Sequence, residues 1–505
     1  MLAMGTWERW YLGAAMALAV CCGVTASGRA RDCGALCWED ATLRAQARAQ
    51  YQTRLEGVSS FPLDRYGTTL SSNFFFLPVV RVGTAVESRY SERVQWTFDY
   101  EHDLITGTED GAPADRVGAQ LPNGRRTHDE IRRLFLRVTV PAAHLVLGGG
   151  YTLSHWGLGL LANDGAHGWS PDNAYFGDPR SGDRVIRATV GTTPLTRARI
   201  VLRAAWDDVR GDDVLLRGDS AEQFIGSVLA GQGLDQSAGL YIVYRPQDAR
   251  VRRGFDVVVY DVFAQTRHTL GSLGTLSVAG EAAVVNGSTS LGPTVDFPKH
   301  DILQVGATVK SRLDRGSHGF ALDFLFASGD ENFDDDEQNS FKADPNFEFG
   351  LLLYRFVQAA QSGRTTVTAA DPTLVGRPVP DLERIPTRGG ATNTVAIFPR
   401  AWWRPTEELA LYGGPLLAWS DVKYSDAFET RIAGGDPHNA LGGRPGRFYG
   451  AELDLGARYL GTIGDIAVSF GVEGGILFPG NAFRKRDGGT MSEVWGGRAL
   501  LEVAL

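Results

Sequence analysis

The residues that could carry covalent chemistry are few, and their spacing does not favour it. Ser154 stands beside His155, and a second serine follows an acid in Gly218-Asp219-Ser220. A serine nucleophile needs a base within hydrogen-bond reach and a third group that orients the base. Adjacent residues of a strand point to opposite faces, so Ser154 and His155 cannot pair directly. Because Gly-x-Ser-x-Gly and His-Glu-x-x-His are both absent, the sequence predicts no enzymatic activity, with a barrel hydrolase as an alternative.

The most acidic stretch of the chain, residues 330–337, is the candidate metal site. Its oxygen ligands fall at every second position: Asp330, Asn332, Asp334 and Asp336. Calcium-binding loops space their ligands in this way. However, Asp335 stands where such a loop has glycine, and Phe341 stands where it has a bidentate glutamate. A loosely held Ca²⁺ and a solvated acidic loop are therefore the two interpretations, and no other cofactor is predicted.

Cysteine usage is typical of an exported protein. Only Cys33 and Cys37 follow the leader described next, and the rest of the chain has none. An oxidising compartment permits a disulfide between them, and two free thiols are the alternative. A zinc site would need more ligands than this pair offers, and no histidine lies nearby in the sequence.

The first 26 residues have the pattern of a secretory signal peptide. A short leading region is followed by the apolar stretch 11–23 and then by small residues up to Ala26. This stretch is shorter than the roughly 20 apolar residues of a spanning helix, so we expect removal rather than anchoring. Cys21 and Cys22 raise the alternative of a lipoprotein. Val20 disfavours it, because a small residue should precede the lipidated cysteine.

Composition favours a β protein that crosses a membrane as strands. The chain has 62 glycines, 10% aromatic residues and 43% hydrophobic residues. These values fit many turns and do not fit a bundle of apolar helices. No later segment offers about 18 consecutive apolar residues, so any membrane crossing must use strands. The net charge of −9 argues against a nucleic-acid partner.

The stretch that follows the leader is predicted to be a periplasmic segment, residues 27–73, with a helix over residues 40–56. It is rich in Ala, Arg, Gln and Leu and ends at Gly57. One apolar residue recurs at every fourth position: Leu43, Ala47, Tyr51 and Leu55. This spacing predicts a helix with one narrow apolar stripe.

From about Phe74 the apolar residues recur with a period of two. The clearest apolar faces are Val94, Trp96, Phe98 and Tyr100; Leu134, Leu136, Val138 and Val140; Ile200, Leu202, Ala204 and Trp206; Leu303, Val305, Ala307 and Val309; and Tyr449, Ala451, Leu453, Leu455, Ala457 and Tyr459. Polar residues occupy the alternate positions. Many of these runs reach the roughly 9–11 residues of a tilted spanning strand, whereas ordinary strands average about 5–6. The pattern predicts a transmembrane barrel.

The connections support this prediction, because short and long ones alternate along the chain. Outer-membrane barrels have short periplasmic turns and long extracellular loops. About 17 candidate strands can be recognised, and an even number is required, so we expect about 16–18 strands. The missing strand should lie at Gly363–Ala370 or before Phe74. The predicted fold is all-β: an antiparallel up-and-down barrel over residues 74–505 with a short N-terminal helix.

The final strand carries a pattern of its own. Its outward set is Trp495, Ala499, Leu501, Val503 and Leu505. It resembles the C-terminal strand that the barrel assembly machinery of the outer membrane recognises, although such strands most often end in Phe or Trp. Over nearly the whole mature chain the architecture resembles bacterial porins and porin-like channels, which implies an integral protein of the Gram-negative outer membrane.

A second resemblance rests on residues 154–165 (SHWGLGLLANDG) together with Gly182-Asp183-Arg184-Val185. This pattern is similar to a segment of an uncharacterised family of outer-membrane barrels from myxobacteria and their relatives. The resemblance implies a barrel and its location. It implies no substrate and no functional residues.

If the apolar faces contact lipid, the alternate residues line the interior. In the first half of the chain these are basic: Arg133, Arg137, Arg187, Arg199 and Arg203. In the second half they are largely acidic: Lys310, Asp323, Glu452, Asp454, Glu473, Arg498 and Glu502. Opposed walls of unlike charge create a transverse field in a water-filled pore and set its ion preference.

These patterns predict an outer-membrane porin or channel for the passive passage of small polar or anionic solutes. The alternative is that the charges pair and brace a filled lumen, which gives a non-conducting structural or surface-binding barrel. The expected partners are outer-membrane lipid, lipopolysaccharide, the barrel assembly machinery and small polar solutes. A monomer and a homotrimer fit equally well.

Overall fold

The fold is taken from a computed structural model. It describes residues 36–505 other than residues 41, 71–72, 89–92, 108–125, 166–175, 178–181, 213, 217, 250–251, 292–296, 334, 376–383 and 385. The predicted signal peptide, Cys33 and Asp334 lie outside the described residues. Cys37 forms a disulfide, and its partner also lies outside them.

Eighteen antiparallel strands form the barrel wall in the described part of the chain. They are β1 Leu43–Val58, β2 Asn73–Ser88, β3 Gln95–Gly107, β4 Arg126–Val140, β5 Leu145–Leu153, β6 Arg184–Thr192, β7 Val201–Gly211, β8 Asp219–Ala230, β9 Gln236–Ala249, β10 Arg252–Thr269, β11 Thr275–Thr289, β12 His300–Asp314, β13 His318–Ala327, β14 Thr394–Trp403, β15 Leu409–Trp419, β16 Phe448–Ile463, β17 Ile466–Pro479 and β18 Val494–Ala504. The predicted all-β barrel and the upper end of the predicted strand number are confirmed.

Each barrel strand pairs with its sequence neighbours, and the last strand closes on the first. Gln50 of β1 faces Ala504 of β18, and Val58 faces Gly496. Two short strands, Cys37–Glu39 and Glu337–Gln338, extend the sheet, and Phe61–Pro62 pairs with Thr69–Leu70 in a separate hairpin. Closure leaves no free edge in the wall, as a lipid environment requires.

Short and long connections lie at opposite ends of the barrel. At one end, the turn end, the connections include residues 315–317 and 464–465. At the other, the loop end, they include residues 154–183, 328–393 and 420–447. In outer-membrane barrels the turns face the periplasm and the loops face outward. The chain therefore begins and ends its barrel at the periplasmic side.

Helices occur only in the loop-end connections, apart from short 3₁₀ turns, in the residues that the structure describes. A π-helix, Leu353–Gln358, continues into α1, Ala359–Ala370, and a single turn, α2, spans Pro372–Val375. Helix α3 spans Ala427–Ile432. The prediction of a strand at Gly363–Ala370 is therefore wrong, because this stretch lies within α1. Among the described helices, none combines the length and the apolar character that a membrane crossing needs.

The predicted helix over residues 40–56 is wrong, because this stretch forms β1. The apolar residues Tyr51 and Leu55 are about as exposed as other lipid-facing residues, whereas Arg54 and Glu56 are buried inside the barrel. A spacing of four suits a helix of 3.6 residues per turn, but it is also a multiple of the strand period of two. Pairing of β1 with both β2 and β18 outweighs a helix propensity of a few tenths of a kcal/mol per residue. The barrel therefore begins at Leu43 and not at residue 74.

The predicted outward faces agree with the exposure of the side chains except at Tyr449, which a β-bulge at the start of β16 turns into the barrel, where it is buried. Leu303, Leu455 and Phe470 expose 55%, 60% and 49% of their surface, although all three are large and apolar. Charged residues on the opposite face, such as Asp207 and Glu473, are buried in the barrel interior. An exposed apolar belt around a closed wall is stable only where lipid covers it.

Two positions of one strand test the depth of this belt. We expect Leu455→Arg, in the middle of β16, to cost about 2–4 kcal/mol of unfolding free energy in lipid. Ile463→Arg, at the turn end of the same strand, should cost only about 0–1 kcal/mol, because the guanidinium reaches the interface there. Denaturant titrations of both variants in lipid vesicles measure the difference. Equal costs would contradict the assignment of the belt.

Candidate pore interior

The barrel interior is crossed by a long segment of the 328–393 connection. This inserted segment, residues 341–375, contains the π-helix and α1, and its residues 351–361 are all buried. It is apolar where it meets the wall, since Phe341, Leu352 and Val357 have at most 1% of their surface exposed. The main hydrophobic core of the protein therefore lies inside the barrel, between this segment and strands β8–β18.

The wall holds the inserted segment by charged side chains. The backbone N–H groups of Leu351, Leu352 and Leu353 donate to the carboxylate of Glu452 on β16 at 2.6, 2.8 and 2.8 Å. Arg355 donates to Glu56 on β1 at 2.9 Å and also pairs with Glu348 of its own segment. Hydrogen bonds between ionised and neutral groups are stronger than neutral ones, so these contacts fix the position of the segment.

A second loop enters the interior from the 154–183 connection. The indole N–H of Trp156 donates to Asp261 on β10 at 3.0 Å, and its ring stacks on Tyr241 at 4.9 Å between centroids. The N–H of Leu158 donates to Glu281 on β11. Gly239 on β9 permits this approach, because a Cβ at this position would lie 2.8 Å from the Trp156 ring. This loop and the inserted segment together narrow the lumen.

The first-half arginines fall into two groups. Arg187 pairs with Asp207 at 2.6 Å and donates to Ser154 at 3.0 Å. Arg137 and Arg203 also lie on the inward face, and neither forms an ion pair within the described residues. Arg199 is exposed in the turn before β7, with a φ of 49°, and therefore stands outside the strand on which it was predicted.

A β-bulge places one further arginine inside the barrel. The register shift between Glu101 and His102 turns both Arg132 and Arg133 inward. Arg132 is fully buried and donates to Glu101 at 2.8 Å. Arg133 is partly exposed, and it has no ion pair among the residues that the structure describes. The sequence alternation has no signal for Arg132, because a bulge breaks the period of two.

Most of the predicted acidic residues of the second half are paired. Glu473 accepts from Arg498 at 2.6 Å, from Arg458 at 3.2 Å and from the hydroxyl of Tyr412. Asp323 pairs with Arg400, and Glu502 accepts from Gln50 at 2.8 Å.

Three further charged residues of the second half contact the inserted segment or the second loop, or lie beside a residue that does. The ammonium of Lys310 lies 4.4 Å above the Phe347 ring of the inserted segment. Asp454 is buried one inward position from Glu452 on the same strand. Arg498 also donates to the backbone oxygen of Phe176. This half of the wall is braced and does not present a free acidic surface.

The acidic stretch, residues 330–337, lies at the loop end and is held by its own hydrogen bonds. The carboxylate of Asp330 accepts from the N–H groups of Asn332 at 3.0 Å and Asn339 at 3.1 Å. Burial raises the pKa of Asp330 to about 6. Asp336 uses its backbone oxygen to accept from Asp301 at 2.8 Å. In the part of the chain that the structure describes, no group of three His, Cys, Asp or Glu could hold a metal ion. The calcium site stays a prediction.

Comparison with known proteins agrees with the barrel geometry. Residues 302–497, less than half of the chain, match the model of a family described as Alginate export. No functionally curated protein sequence matches this chain. Pseudomonas aeruginosa OccK5 (OpdH) superposes with a TM-score of 0.51 at 10% identity, over 91% of this chain and 98% of that chain.

Two further structures from Pseudomonas aeruginosa give TM-scores of 0.49. They are the outer membrane protein OprD, at 12% identity over 91% of this chain and 93% of that chain, and OccK2 (OpdF) in complex with glucuronate, at 10% identity over 91% and 98%. The similarity to OccK5 shows a shared porin-like fold.

The chain is an integral outer-membrane β-barrel. Its closed wall, its exposed apolar belt and its porin-like fold agree on this location. The predicted similarity to myxobacterial barrels stays a prediction.

Proposed function

We propose that the protein is a porin-type channel for small polar solutes and that its turn-side half favours anions. The observation that carries this proposal is the set of lumen arginines: Arg133, Arg137 and Arg203. On the inward face Arg133 is partly exposed and Arg137 and Arg203 are exposed, and none of the three forms an ion pair among the described residues. Unpaired guanidinium groups in a water-filled lumen attract anions and repel cations.

The exposure of two of these arginines supports the proposal. Arg203 faces Gly191 on β6, and Arg137 faces Gly148 on β5. The ring of Phe135 fills the space over Gly148, but the side chains of Arg137 and Arg203 are both exposed. Their guanidinium groups are therefore accessible from the lumen.

The family match offers a second candidate within the same class. The family that matches residues 302–497 is described as Alginate export. An acidic polysaccharide is a chain of anions, so the lumen arginines would suit it as well as a small anion. Passage of such a chain through the constricted interior would require the inserted segment to move.

Planar-bilayer recording tests the proposal. In a potassium chloride gradient the reversal potential should show anion preference. The double variant R137E/R203E should remove or reverse it, because it replaces two cations by two anions at the same wall. R199E is the matched control, since it changes the same charge in an exposed turn. Absence of conductance, or a preference that R137E/R203E leaves unchanged, would refute the proposal.

Polysaccharide passage is measured separately in sealed liposomes loaded with a fluorescent polyuronate. Release from liposomes with the wild-type protein would favour the second candidate. Retention of the polymer together with passage of chloride would favour the small-solute channel.

A further inference from the structure

A cavity of about 700 Å³ separates the inserted segment from strands β9–β11. The wall contributes apolar side chains to it, and α1 covers it from the centre of the barrel. A volume of this size lies in the range of small-molecule sites, about 300–1,000 Å³. Its lining includes Val243, Val259, Val285, Gln358, Thr387 and Asp183.

The wall of this cavity carries a row of apolar side chains, which is unusual for the lumen of a porin. Ile225 on β8 faces Val243 on β9, Val243 faces Val259 on β10, and Val259 faces Val285 on β11. All four point inward and are buried, as part of the core that surrounds the inserted segment. The interior of a transmembrane barrel is ordinarily polar, because water fills it. Val243, Val259 and Val285 line the cavity, and together they form a surface suited to a hydrocarbon body.

The opposite side of the cavity carries polar groups that lack a partner. Gln358 is 1% exposed, and neither atom of its amide forms a well-aligned hydrogen bond with a described residue, although the hydroxyl of Tyr449 lies beside it. The hydroxyl of Thr387 is also buried and unpartnered within the described residues. The N–H of Thr387 donates to Ser362, one helical turn from Gln358, so the two groups lie on one side. Unmet hydrogen-bonding groups in a buried site are unfavourable, and a ligand hydroxyl would offset that cost.

The main charged groups at the rim neutralise each other. Arg245 pairs with Asp212 at 2.5 Å, and Arg384 pairs with Asp219 at 2.6 Å. Burial, together with the nearby Asp344 and Asp212, raises the pKa of the Asp183 carboxyl well above its usual range, which favours its neutral form. Beside the valines the cavity therefore offers paired charges and neutral hydrogen-bonding groups.

We propose that this cavity is a binding site for a small uncharged molecule of the phenol or aromatic-alcohol class. The ring lies on the valines of the wall, and the hydroxyl bonds to the Gln358 amide and the Thr387 hydroxyl. The proposal goes beyond the channel function, because the lumen arginines would not select an uncharged aromatic body. The site lies between the inserted segment and the wall, so its ligand would occupy the half of the lumen near the loop end.

Calorimetric titration of the folded full-length protein in polymer-stabilised discs, with p-cresol as the probe, tests the site. The triple variant V243T/V259T/V285T keeps the side-chain shapes and adds three hydroxyls, and it should weaken binding at least about tenfold. V259F, which fills the cavity with an apolar ring, should weaken it by a similar factor. V262T on the lipid face of β10 is the matched control and should leave the affinity unchanged.

A polarity measurement separates specific binding from general partition into an apolar space. Wild-type protein should prefer p-cresol over toluene, and Q358M, which keeps the length of the side chain, should remove most of that preference. Equal affinity of the wild-type protein and the triple variant for p-cresol would overturn the proposal. So would equal affinity of the wild-type protein for p-cresol and toluene. Both measurements are independent of conductance, so the channel function and the binding site succeed or fail separately.

Discussion

Excision of the inserted segment is expected to raise the single-channel conductance several-fold. The variant replaces residues 345–389 by a short glycine-serine turn. The join is unstrained, because Lys342 and Thr392 form an antiparallel bridge and the N–H of Ala343 donates to Ala391 at 2.9 Å. A helix with its side chains is about 10–12 Å across, so its removal opens a large part of the lumen. Planar-bilayer recording of both proteins under one salt condition measures the change.

The control for this excision removes a short, exposed part of the loop end. Deletion of Ala433–Gly435, which lie on the surface after α3, should leave the conductance unchanged. Gel mobility before and after heating shows whether each barrel has folded. An excised protein that folds and conducts like the wild type would show that the segment does not limit the pore.

Replacement of Glu473 by alanine is expected to cost about 3–5 kcal/mol of unfolding free energy. Its carboxylate is buried and binds Arg498, Arg458 and Tyr412. Removal of the carboxylate leaves two buried guanidinium groups without their main anion, which is more costly than the net value of the pairs. Reversible denaturant unfolding in lipid vesicles measures this loss.

Two further variants make the Glu473 prediction specific. Glu407→Ala, in an exposed turn, changes the same residue type and should alter stability by no more than about 0.5 kcal/mol. The double variant E473Q/R498M removes both partners and should cost less than the sum of E473Q and R498M, because contacting residues are coupled by about 0.5–3 kcal/mol. Additive losses would show that the two side chains do not form a functional pair.

The interior has two regions with different physical roles. In the second half of the chain, charges such as Glu452 and Glu473 are used to hold loops, and the wall there is packed. Near the turn end of the first half, the side chains of Arg137 and Arg203 face the lumen. Of the two charged walls that were predicted, only the basic one remains free, because the charges of the opposite wall are paired. Selectivity experiments should target this basic surface.

The sequence by itself determined the barrel and its membrane setting. A period of two over ten or more residues has one physical solution when it repeats around a chain with many turns, which is a closed wall with an apolar exterior. The faces that contain Leu134, Leu303 and Leu455 could be assigned without a structure, because strand geometry alone decides which residues share a face. The terminal strand could be recognised in the same way.

The tertiary structure decided what occupies the interior and which strand closes the wall. The apolar spacing in β1 fits a helix and a strand equally, and only the pairing of Gln50 with Ala504 selects the strand. The apolar residues of the segment 341–375 pack inside the barrel. The local sequence cannot distinguish this burial from burial in lipid. The pairing of Arg132 depends on a bulge, and that of Arg355 depends on a contact with Glu56 almost three hundred positions away in the chain. Such long-range contacts arise only when the wall has closed, so no local pattern encodes them.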